Sequence, residues 1–366
     1  MSLLRRIASP TPHLRFLKPS PLRNFTTTSL RASQSPTPIA IPYTPTCPSP
    51  TCACAPVPPS LDIDRKSPLL NTMASYSEQV VVCTGKEDWT SRIEDDVEAG
   101  EFVRGVKGVV GKGGEGFDVC LSSFYNPSIT SRREGKEKEP FNNILITTSS
   151  LPASETPKTT TALLFPSFTR LPALPHTPTT FSHLATAYLK ARHLHPMHDS
   201  LSTEQKAKLT RDESLASELP PAESITHPVV LICGHGGRDK RCGILGPILR
   251  EGFKTEFARR RIKGEVGLIS HIGGHKYAGN VIIYLPPNMR ENALKGTGIW
   301  YGRIGPEEVE GIVQETIVNG NIVADLFRGG IGQGGINMGH ALEAQLKRDR
   351  GESDEGGLKL RPRARR

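Results

Sequence analysis

Apolar residues in this chain fall into short runs, separated by segments rich in glycine, proline and charge. Such runs, when β-branched residues are common and turn residues flank them, are typical of buried strands. They predict strands at 79–83, 143–147, 161–165, 228–233, 266–270 and 280–285. Amphipathic spacing and end signals predict helices near 91–96 and at 181–192, 244–261 and 306–318. The glycine- and charge-rich stretch 104–140 is predicted to be a surface loop.

The second half of the chain repeats features of the first. The apolar run that ends at Cys83 is similar to the one that ends at Cys233, and glycine follows soon after each. The second half has the predicted order strand, helix, strand, strand, helix, which is the order of a thioredoxin-like core. We therefore expect an α/β fold of two thioredoxin-like halves, derived from an internal duplication.

Composition sets the expected domain boundaries. The N-terminal thioredoxin-like domain is predicted at 55–198 and the C-terminal one at 227–335. Between them, the polar and proline-flanked stretch 199–226 is expected to be a linker. The basic stretch 350–366 is expected to be a disordered tail.

The first 45 residues have the composition of a mitochondrial targeting segment. Residues 1–61 contain six basic and no acidic residues and are rich in Ser, Thr and Pro. Arg23, Phe25 and Thr28 match the Arg-x-Phe-x-x-Thr pattern of matrix processing sites. We therefore predict a mitochondrial protein, most simply of the matrix, whose leader is cut between about Thr28 and Cys47. The alternative is a disordered basic tail without a targeting function.

The net charge of +9 is a poor guide to partners. Six of the positive charges lie in residues 1–61 and five in residues 358–366, which leaves the body at about −2. A nucleic-acid-binding protein needs a basic face on its folded part, so we expect no nucleic-acid partner. No apolar run approaches the ~18 residues needed to cross a bilayer, so we expect no membrane span.

Two pairs of potential metal ligands are the most specific chemical feature. Cys233 and Cys242 have eight residues between them in a glycine-rich stretch, and His271 and His275 have three. Two consecutive glycines and the lack of a glutamate after His271 exclude the helical metalloprotease motif. A Cys2His2 zinc site is possible, but zinc cysteines are usually spaced C-x2–4-C, and the long spacing suits a loop around a larger cluster. Four residues without any metal are the remaining alternative.

The other cysteines carry little pattern. Cys47, Cys52 and Cys54 lie in a proline-rich stretch, where plain thiols are the simplest interpretation. Cys83 closes an apolar strand and is expected to be a buried, unreactive thiol.

The chain resembles the sucrase/ferredoxin-like family, and within it a fungal mitochondrial branch. The most specific matches are the run from Cys233 to Gly243 and the run from Ser270 to Asn280. The resemblance covers roughly residues 54–335. It implies a thioredoxin-like ferredoxin domain with a [2Fe–2S] cluster, in which Cys233 and Cys242 bind one iron and His271 and His275 the other.

Replacing two thiolates with two neutral imidazoles removes negative charge and favours the reduced cluster. In Rieske centres this raises the potential from about −400 mV to between roughly −150 and +300 mV. An imidazole that reaches solvent can also take a proton as an electron arrives, so we expect pH-dependent electron transfer. His235, Arg238 and Arg241 are candidates for hydrogen bonds to the cluster or for positioning the loop. Asp239 is a candidate for orienting a histidine ligand.

One-electron transfer or redox sensing is the function that this resemblance implies. The expected partners are a redox donor, a redox acceptor and the mitochondrial iron–sulfur assembly machinery. A thiol–disulfide oxidoreductase is an alternative that suits the fold, although no C-x-x-C ends a strand. A zinc-bound structural or interaction module is another. No pattern of a substrate pocket is present, so a stand-alone enzyme is not expected.

Overall fold

The computed structural model describes residues 40–51, 53–58, 61–110, 142–332 and 335–351, apart from the side chain of Met197. Within these ranges the strands are β1 (Tyr43–Thr44), β2 (Glu78–Cys83), β3 (Ile144–Ser149), β4 (Thr159–Phe165), β5 (Thr169–Pro175), β6 (Glu223–Ser224), β7 (Val229–Cys233), β8 (Glu265–Ile269), β9 (Val281–Leu285), β10 (Thr297–Tyr301), β11 (Ile322–Val323) and β12 (Phe327–Gly332). The helices are α1 (Gly100–Val110), α2 (Pro178–Leu184), α3 (Thr203–Leu209), α4 (Lys240–Arg260), α5 (Pro306–Ile312) and α6 (Met338–Asp349). Helices α2 and α5 continue as π-helical turns, Ala185–Leu189 and Val313–Asn319.

Ten of these strands form one mixed sheet in the order β12-β10-β9-β7-β8-β3-β2-β4-β5-β6. In the first half, β2 is parallel to β3 and antiparallel to β4, which pairs antiparallel with β5. In the second half, β7 is parallel to β8 and antiparallel to β9, which pairs antiparallel with β10. A helix, α1 or α4, connects the parallel pair in each half. The expected α/β class is confirmed, and both halves have the same strand order.

The two halves join where β3 meets β8, with Ser149 opposite Ile269. The backbone N–H of Ser150 donates to the carbonyl of Leu268 at 2.9 Å, and that of Ser270 donates to the carbonyl of Thr148 at 2.8 Å. The hydroxyl of Ser150 accepts from the N–H of Leu268 at 2.8 Å, and that of Ser270 accepts from the N–H of Thr148 at 2.9 Å. The junction is therefore symmetric, because each of the two serines donates one bond from its N–H and accepts one with its hydroxyl.

Helix α4 covers the second half of the sheet with a single apolar stripe. Leu245, Leu249, Phe253 and Phe257 recur every four residues and are buried. That spacing places them on one face of a helix. Burial of each such side chain contributes about 1.5–3 kcal/mol, so the stripe anchors the helix and fixes the position of its first turn.

The start of the described chain packs on the second half. Strand β1 lies within the predicted targeting segment and pairs parallel with β11. The N–H of Ile41 donates to the side chain of Gln345 at 2.8 Å. Thr51 donates from its N–H to Glu310 at 2.8 Å. The remainder of the predicted targeting segment, residues 1–39, lies outside the described residues.

Several elements differ from the sequence prediction. The predicted loop 104–140 begins inside α1, and its residues 111–140 lie outside the described chain. The loop was predicted because the stretch is rich in glycine. Gly105 serves packing instead, since a Cβ at this position would lie 2.1 Å from the ring of Phe181. That glycine lets α1 pack against α2. The predicted helix near 91–96 is reduced to a 3-10 turn, Ile93–Asp95.

The stretch 199–226 was predicted to be a linker. It holds α3, a 3-10 turn over Glu213–Glu218 and strand β6, which pairs with β5. Strands β5, β10 and β12 were not predicted, because proline or glycine interrupts their apolar runs.

Candidate metal centre

The two cysteines lie at the carboxyl end of β7 and in the first turn of α4. Cys233 is the last residue of β7 and is buried. Cys242 was expected just before the helix, but it is the third residue of α4 and is also buried. The helix begins earlier than predicted because the side chain of Asp239 caps it, accepting from the N–H of Arg241 at 3.0 Å.

Glycines bring the cysteine loop onto this helix. A Cβ at Gly246 would lie 2.6 Å from the Cα of Gly234, and one at Gly243 would lie 2.5 Å from the Cα of Gly236. Real Cβ atoms do not approach so closely, so the backbones meet only because both sides lack side chains. This contact places the Cys242 side chain against Cys233.

The two thiols shift each other's pKa in opposite directions. Interaction with Cys242 lowers the pKa of Cys233 well below its usual range, against the effect of burial, and His271 lowers it further. The same interaction, together with burial, raises the pKa of Cys242. The pair therefore favours a single thiolate, held at Cys233.

The two histidines follow β8, which runs parallel to β7. Cys233 is in register with Ile269, so the loops after both strands leave the same edge of the sheet. His271 is half-buried and His275 is exposed, and their ring centroids are 5.4 Å apart. His275 opens a 3-10 turn, His275–Tyr277. Because His271 also lowers the pKa of Cys233, one member of each pair interacts with the other pair at this edge.

His271 has a buried nitrogen with no partner. Its Nδ1 is shielded from solvent and makes no hydrogen bond within the described chain. A buried polar atom left unpaired costs about 1–3 kcal/mol unless another group satisfies it. A metal ion is one group that would do so, since imidazole nitrogen is a common ligand.

Two residues hold the backbone of the histidine loop. The amide of Asn280 donates to the carbonyl of Gly274 at 2.9 Å, and Arg328 donates to the carbonyl of Gly273 at 3.1 Å. Arg328 also donates to the side-chain oxygen of Asn280 at 2.7 Å. Gly273 and Gly274 have φ of +81° and +72°, in the region that favours glycine. A Cβ at Gly274 would lie 2.5 Å from the Arg328 guanidinium.

His235 connects the cysteine loop to the histidine loop. Its Nδ1 accepts from the N–H of His271 at 3.0 Å. Its Nε2 donates to the carbonyls of Trp89 and Thr90 at 3.1 and 2.9 Å. The side chain is buried, so it acts within the structure to position the loop.

The other predicted neighbours bind one another or segments on either side of β2. Both carboxylate oxygens of Asp239 accept from Arg241, at 2.9 and 2.8 Å. Arg241 also donates to the carbonyl of Asp62 at 2.8 Å. The exposed Arg238 donates to the hydroxyl of Ser91 at 3.3 Å. Hydrogen bonds from Arg241 lower the pKa of Asp239. Asp239 thus has both of its oxygens engaged by Arg241.

The segment that leads to β2 touches both ligand loops. Besides the contact between Asp62 and Arg241, the N–H of Asp64 donates to the carbonyl of Lys276 at 2.8 Å. The side chain of Lys276 pairs with the Asp64 carboxylate at 3.1 Å. This segment therefore closes one side of the site.

The remaining cysteines lie elsewhere. Burial raises the pKa of Cys83 to about 12, as suits an unreactive thiol, and it also raises that of the half-buried Cys47 to about 12. Cys54 is exposed, and Cys52 and Cys120 lie outside the described residues. Sequence reasoning assigned no role to Asn280 and missed Arg328. The signal for Arg328 was a single charge within the buried strand β12.

Two features are absent from the described residues. In these ranges no group of three or more His, Cys, Asp or Glu side chains has the geometry to hold a metal ion. None of the helices there is long and apolar enough to cross a bilayer.

Comparison with protein families decides the relationship. The sucrase/ferredoxin-like family model matches residues 69–329, which include both ligand loops. The chain belongs to the sucrase/ferredoxin-like family. The resemblance inferred from the two loop motifs is thereby confirmed.

Three yeast proteins of one name are similar to the chain over a shorter region. Altered inheritance of mitochondria protein 32 of Debaryomyces hansenii is 48% identical over 107 residues, 29% of this chain and 37% of that protein. The protein of that name from Meyerozyma guilliermondii is 47% identical over 109 residues, 29% and 36% of the two chains. The one from Saccharomyces cerevisiae is 38% identical over 101 residues, 28% and 32%. The match thus spans about a third of the length of these curated relatives. No solved structure matches this chain.

Proposed function

We propose that this protein holds a [2Fe–2S] cluster, with Cys233 and Cys242 at one iron and His271 and His275 at the other. The observation that carries the proposal is that the two loops leave the same sheet edge, where Cys233 is in register with Ile269 and both Cys242 and His271 lower the pKa of Cys233. The buried Nδ1 of His271, which has no hydrogen-bond partner in the described chain, is a nitrogen that a metal ion could satisfy. Each iron of such a cluster takes two protein ligands, so two pairs of side chains suffice.

We further propose that each half is thioredoxin-like and that only the second half holds a cluster. The shared strand order and the helix between each parallel pair support the first part. For the second part, Cys83 is in register with Ser149 as Cys233 is with Ile269. The second residue after Ser149 is Leu151, whereas the second residue after Ile269 is His271. The first half therefore keeps a cysteine but lacks a nitrogen ligand.

One-electron transfer or redox sensing in the mitochondrial matrix is the role we propose. The cluster supplies a site that takes up and releases one electron. The names of the yeast relatives refer to mitochondrial inheritance, and the leader composition agrees with import. Cluster delivery would come from the mitochondrial iron–sulfur assembly machinery, and redox donor and acceptor proteins would exchange the electron.

The protein's own residues suit this role in two ways. Cys233 and Cys242 are buried, so water has little access to their sulfurs. His275 is exposed, and its ring offers an edge to a redox partner and a nitrogen that can exchange a proton with water. Electron uptake should therefore be coupled to proton uptake at the histidine side.

Iron and acid-labile sulfide analysis of the full chain, purified without oxygen, tests the proposal. We expect about two irons and two sulfides per chain, a red-brown colour, and loss of both in Cys233→Ser and Cys242→Ser. Cys83→Ser is the matched control, since it removes the equivalent cysteine of the first half. Zinc without iron in the native chain would instead favour a structural or interaction module.

A thiol–disulfide oxidoreductase is the second candidate, favoured by the lowered pKa of Cys233, of which Cys242 is the main cause. A lowered thiol pKa is typical of reactive cysteines. The two functions differ in a direct measurement. An oxidoreductase would be purified free of iron and would reduce a model disulfide, and Cys233→Ser would abolish that activity.

A further inference from the structure

Arg328 is a buried cation beside the candidate metal centre. It lies on β12 with 1% of its surface exposed. Its guanidinium donates to the carbonyl and hydroxyl of Thr72 at 2.8 and 3.1 Å, in addition to the bonds to Gly273 and Asn280. All of these acceptors are neutral.

The positive charge of Arg328 has no carboxylate partner among the described residues. The rings of Tyr277 and Trp300 lie 5.7 and 5.8 Å from the guanidinium and offer their negative faces. A buried charge is costly unless an opposite charge compensates it. The site therefore needs a negative group close to Arg328.

Hydrogen bonds connect Arg328 to both ligand loops of the candidate metal centre. The side-chain oxygen of Asn280 accepts from Arg328 at 2.7 Å, and the carbonyl of Asn280 accepts from the N–H of Cys233 at 2.9 Å. Arg328 also donates directly to the carbonyl of Gly273, in the loop that carries the histidines, at 3.1 Å. A negative group at this centre would supply the compensating charge that the buried guanidinium lacks.

We propose that Arg328 is the counter-cation of the metal centre and a positioning residue for the histidine loop. This inference rests on the proposed function. Two ferric ions, two sulfides and two thiolates sum to zero charge, and an added electron makes the site negative. A fixed positive charge nearby stabilises that reduced state, so Arg328 raises the reduction potential and favours electron uptake.

Arg303 provides a matched control. It is also largely buried and lies over the ring of Tyr277, 5.3 Å from its centre. It donates to the carbonyls of Asp64 and Ser67 at 2.6 and 2.5 Å. Unlike Arg328, its charge is paired, with the Asp64 carboxylate at 3.8 Å. Replacing it removes similar packing and hydrogen bonds but no unpaired cation.

The test measures the midpoint potential of the cluster-loaded full chain by optical redox titration. Arg328→Gln should lower the reduction equilibrium constant at least tenfold, which is about 59 mV for one electron. The midpoint potential of Arg328→Lys, which keeps the charge, should stay closer to the native potential. The midpoint potential of Arg303→Gln should equal the native potential. A native potential in Arg328→Gln, or an equal shift in Arg303→Gln, would overturn the inference.

Alkylation of the metal-free chain covers the case in which Arg328→Gln does not load a cluster. The pH at which the cysteine pair becomes reactive should rise in Arg328→Gln and not in Arg303→Gln, because a thiolate loses its cation. An unchanged pH in Arg328→Gln contradicts the inference. If the native chain binds no iron, the proposed function fails, and this second readout still decides whether Arg328 compensates the thiolate.

Discussion

The backbone N–H of His271 donates a hydrogen bond to Nδ1 of His235, 3.0 Å away. The opposite nitrogen of His235 faces the carbonyls of Trp89 and Thr90, so the ring must carry its proton there. The neutral imidazole links the histidine loop of the second half to a loop of the first. A candidate metal ligand is thus held in place through a residue two positions after Cys233.

Replacing His235 should loosen the site. His235→Ala leaves the N–H of His271 and two carbonyls without a partner, and we expect a loss of about 1–3 kcal/mol in the free energy of unfolding. Urea denaturation of the metal-free chain measures it, and iron content after purification reports on the site. Arg238 is an exposed neighbour with one weak bond, so Arg238→Ala should leave both the free energy of unfolding and the iron content unchanged. Equal effects of the two substitutions would refute a positioning role for His235.

The paired glycines of the histidine loop allow a sharper comparison. Gly273→Ala and Gly274→Ala both force a side chain into positive φ, at a cost of about 1–2 kcal/mol. At Gly273 the new methyl group meets open space, whereas at Gly274 it lies 2.5 Å from Arg328. We expect Gly274→Ala to lose a further ~1–3 kcal/mol of unfolding free energy and most of its bound iron. Similar losses at both positions would mean that Arg328 does not pack against the loop.

The serines at the sheet junction should couple the two halves. Ser150→Ala and Ser270→Ala each leave one backbone N–H across the junction without its acceptor, at a cost of about 1–3 kcal/mol. The double variant should lose roughly the sum, whereas the exposed Ser217→Ala should lose little. Hydrogen exchange of the β3 and β8 amides checks this. Unchanged protection in the double variant would contradict the role of these bonds.

Stability should depend on pH through Asp96, whose carboxylate binds backbone N–H groups just before α1. Its carboxylate accepts from the N–H groups of Glu98 and Ala99, both at 3.1 Å, and from Lys86 at 3.3 Å. Burial raises its pKa, but these bonds together hold the pKa of Asp96 below its ordinary value. Its contribution is therefore complete above the unfolded pKa of about 3.9 and is lost as pH falls through the folded value.

Asp96→Asn measures that contribution. The variant should be about 1.5–3 kcal/mol less stable than the native chain near pH 7, and the difference should shrink as the pH falls below about 4. Asp95→Asn, which removes an exposed ion pair with Arg92, should change little at either pH. A difference for Asp96→Asn that is constant with pH would exclude the charge as its cause.

Much of the sheet near the site was predictable from sequence, because β7 and β9 are continuous apolar runs and β2 and β8 are apolar over most of their length. Strands β10 and β12 were not, since glycine is used there for close packing. A Cβ at Gly298 of β10, for example, would lie 2.4 Å from the ring of Tyr284. Local pattern cannot distinguish such a glycine from one in a turn.

The residues of the candidate site were also predictable only in part. Its cysteines and histidines were predictable because these residue types, so spaced, have few other uses. Arg328 was not, because 53 positions separate it from His275 in the sequence and only the pairing of β12 with β10 brings it near. The position of Arg328 depends on the register of the sheet, which is set by contacts along the whole chain.

The most direct test of the central claim is electron–nuclear double resonance on the dithionite-reduced full chain, labelled with 15N-histidine. The account predicts strongly coupled nitrogens from two histidines. They should vanish in the His271→Cys/His275→Cys double variant, which should still hold about two irons. A cluster without histidine coupling, or a native chain that carries zinc and no iron, would contradict the account.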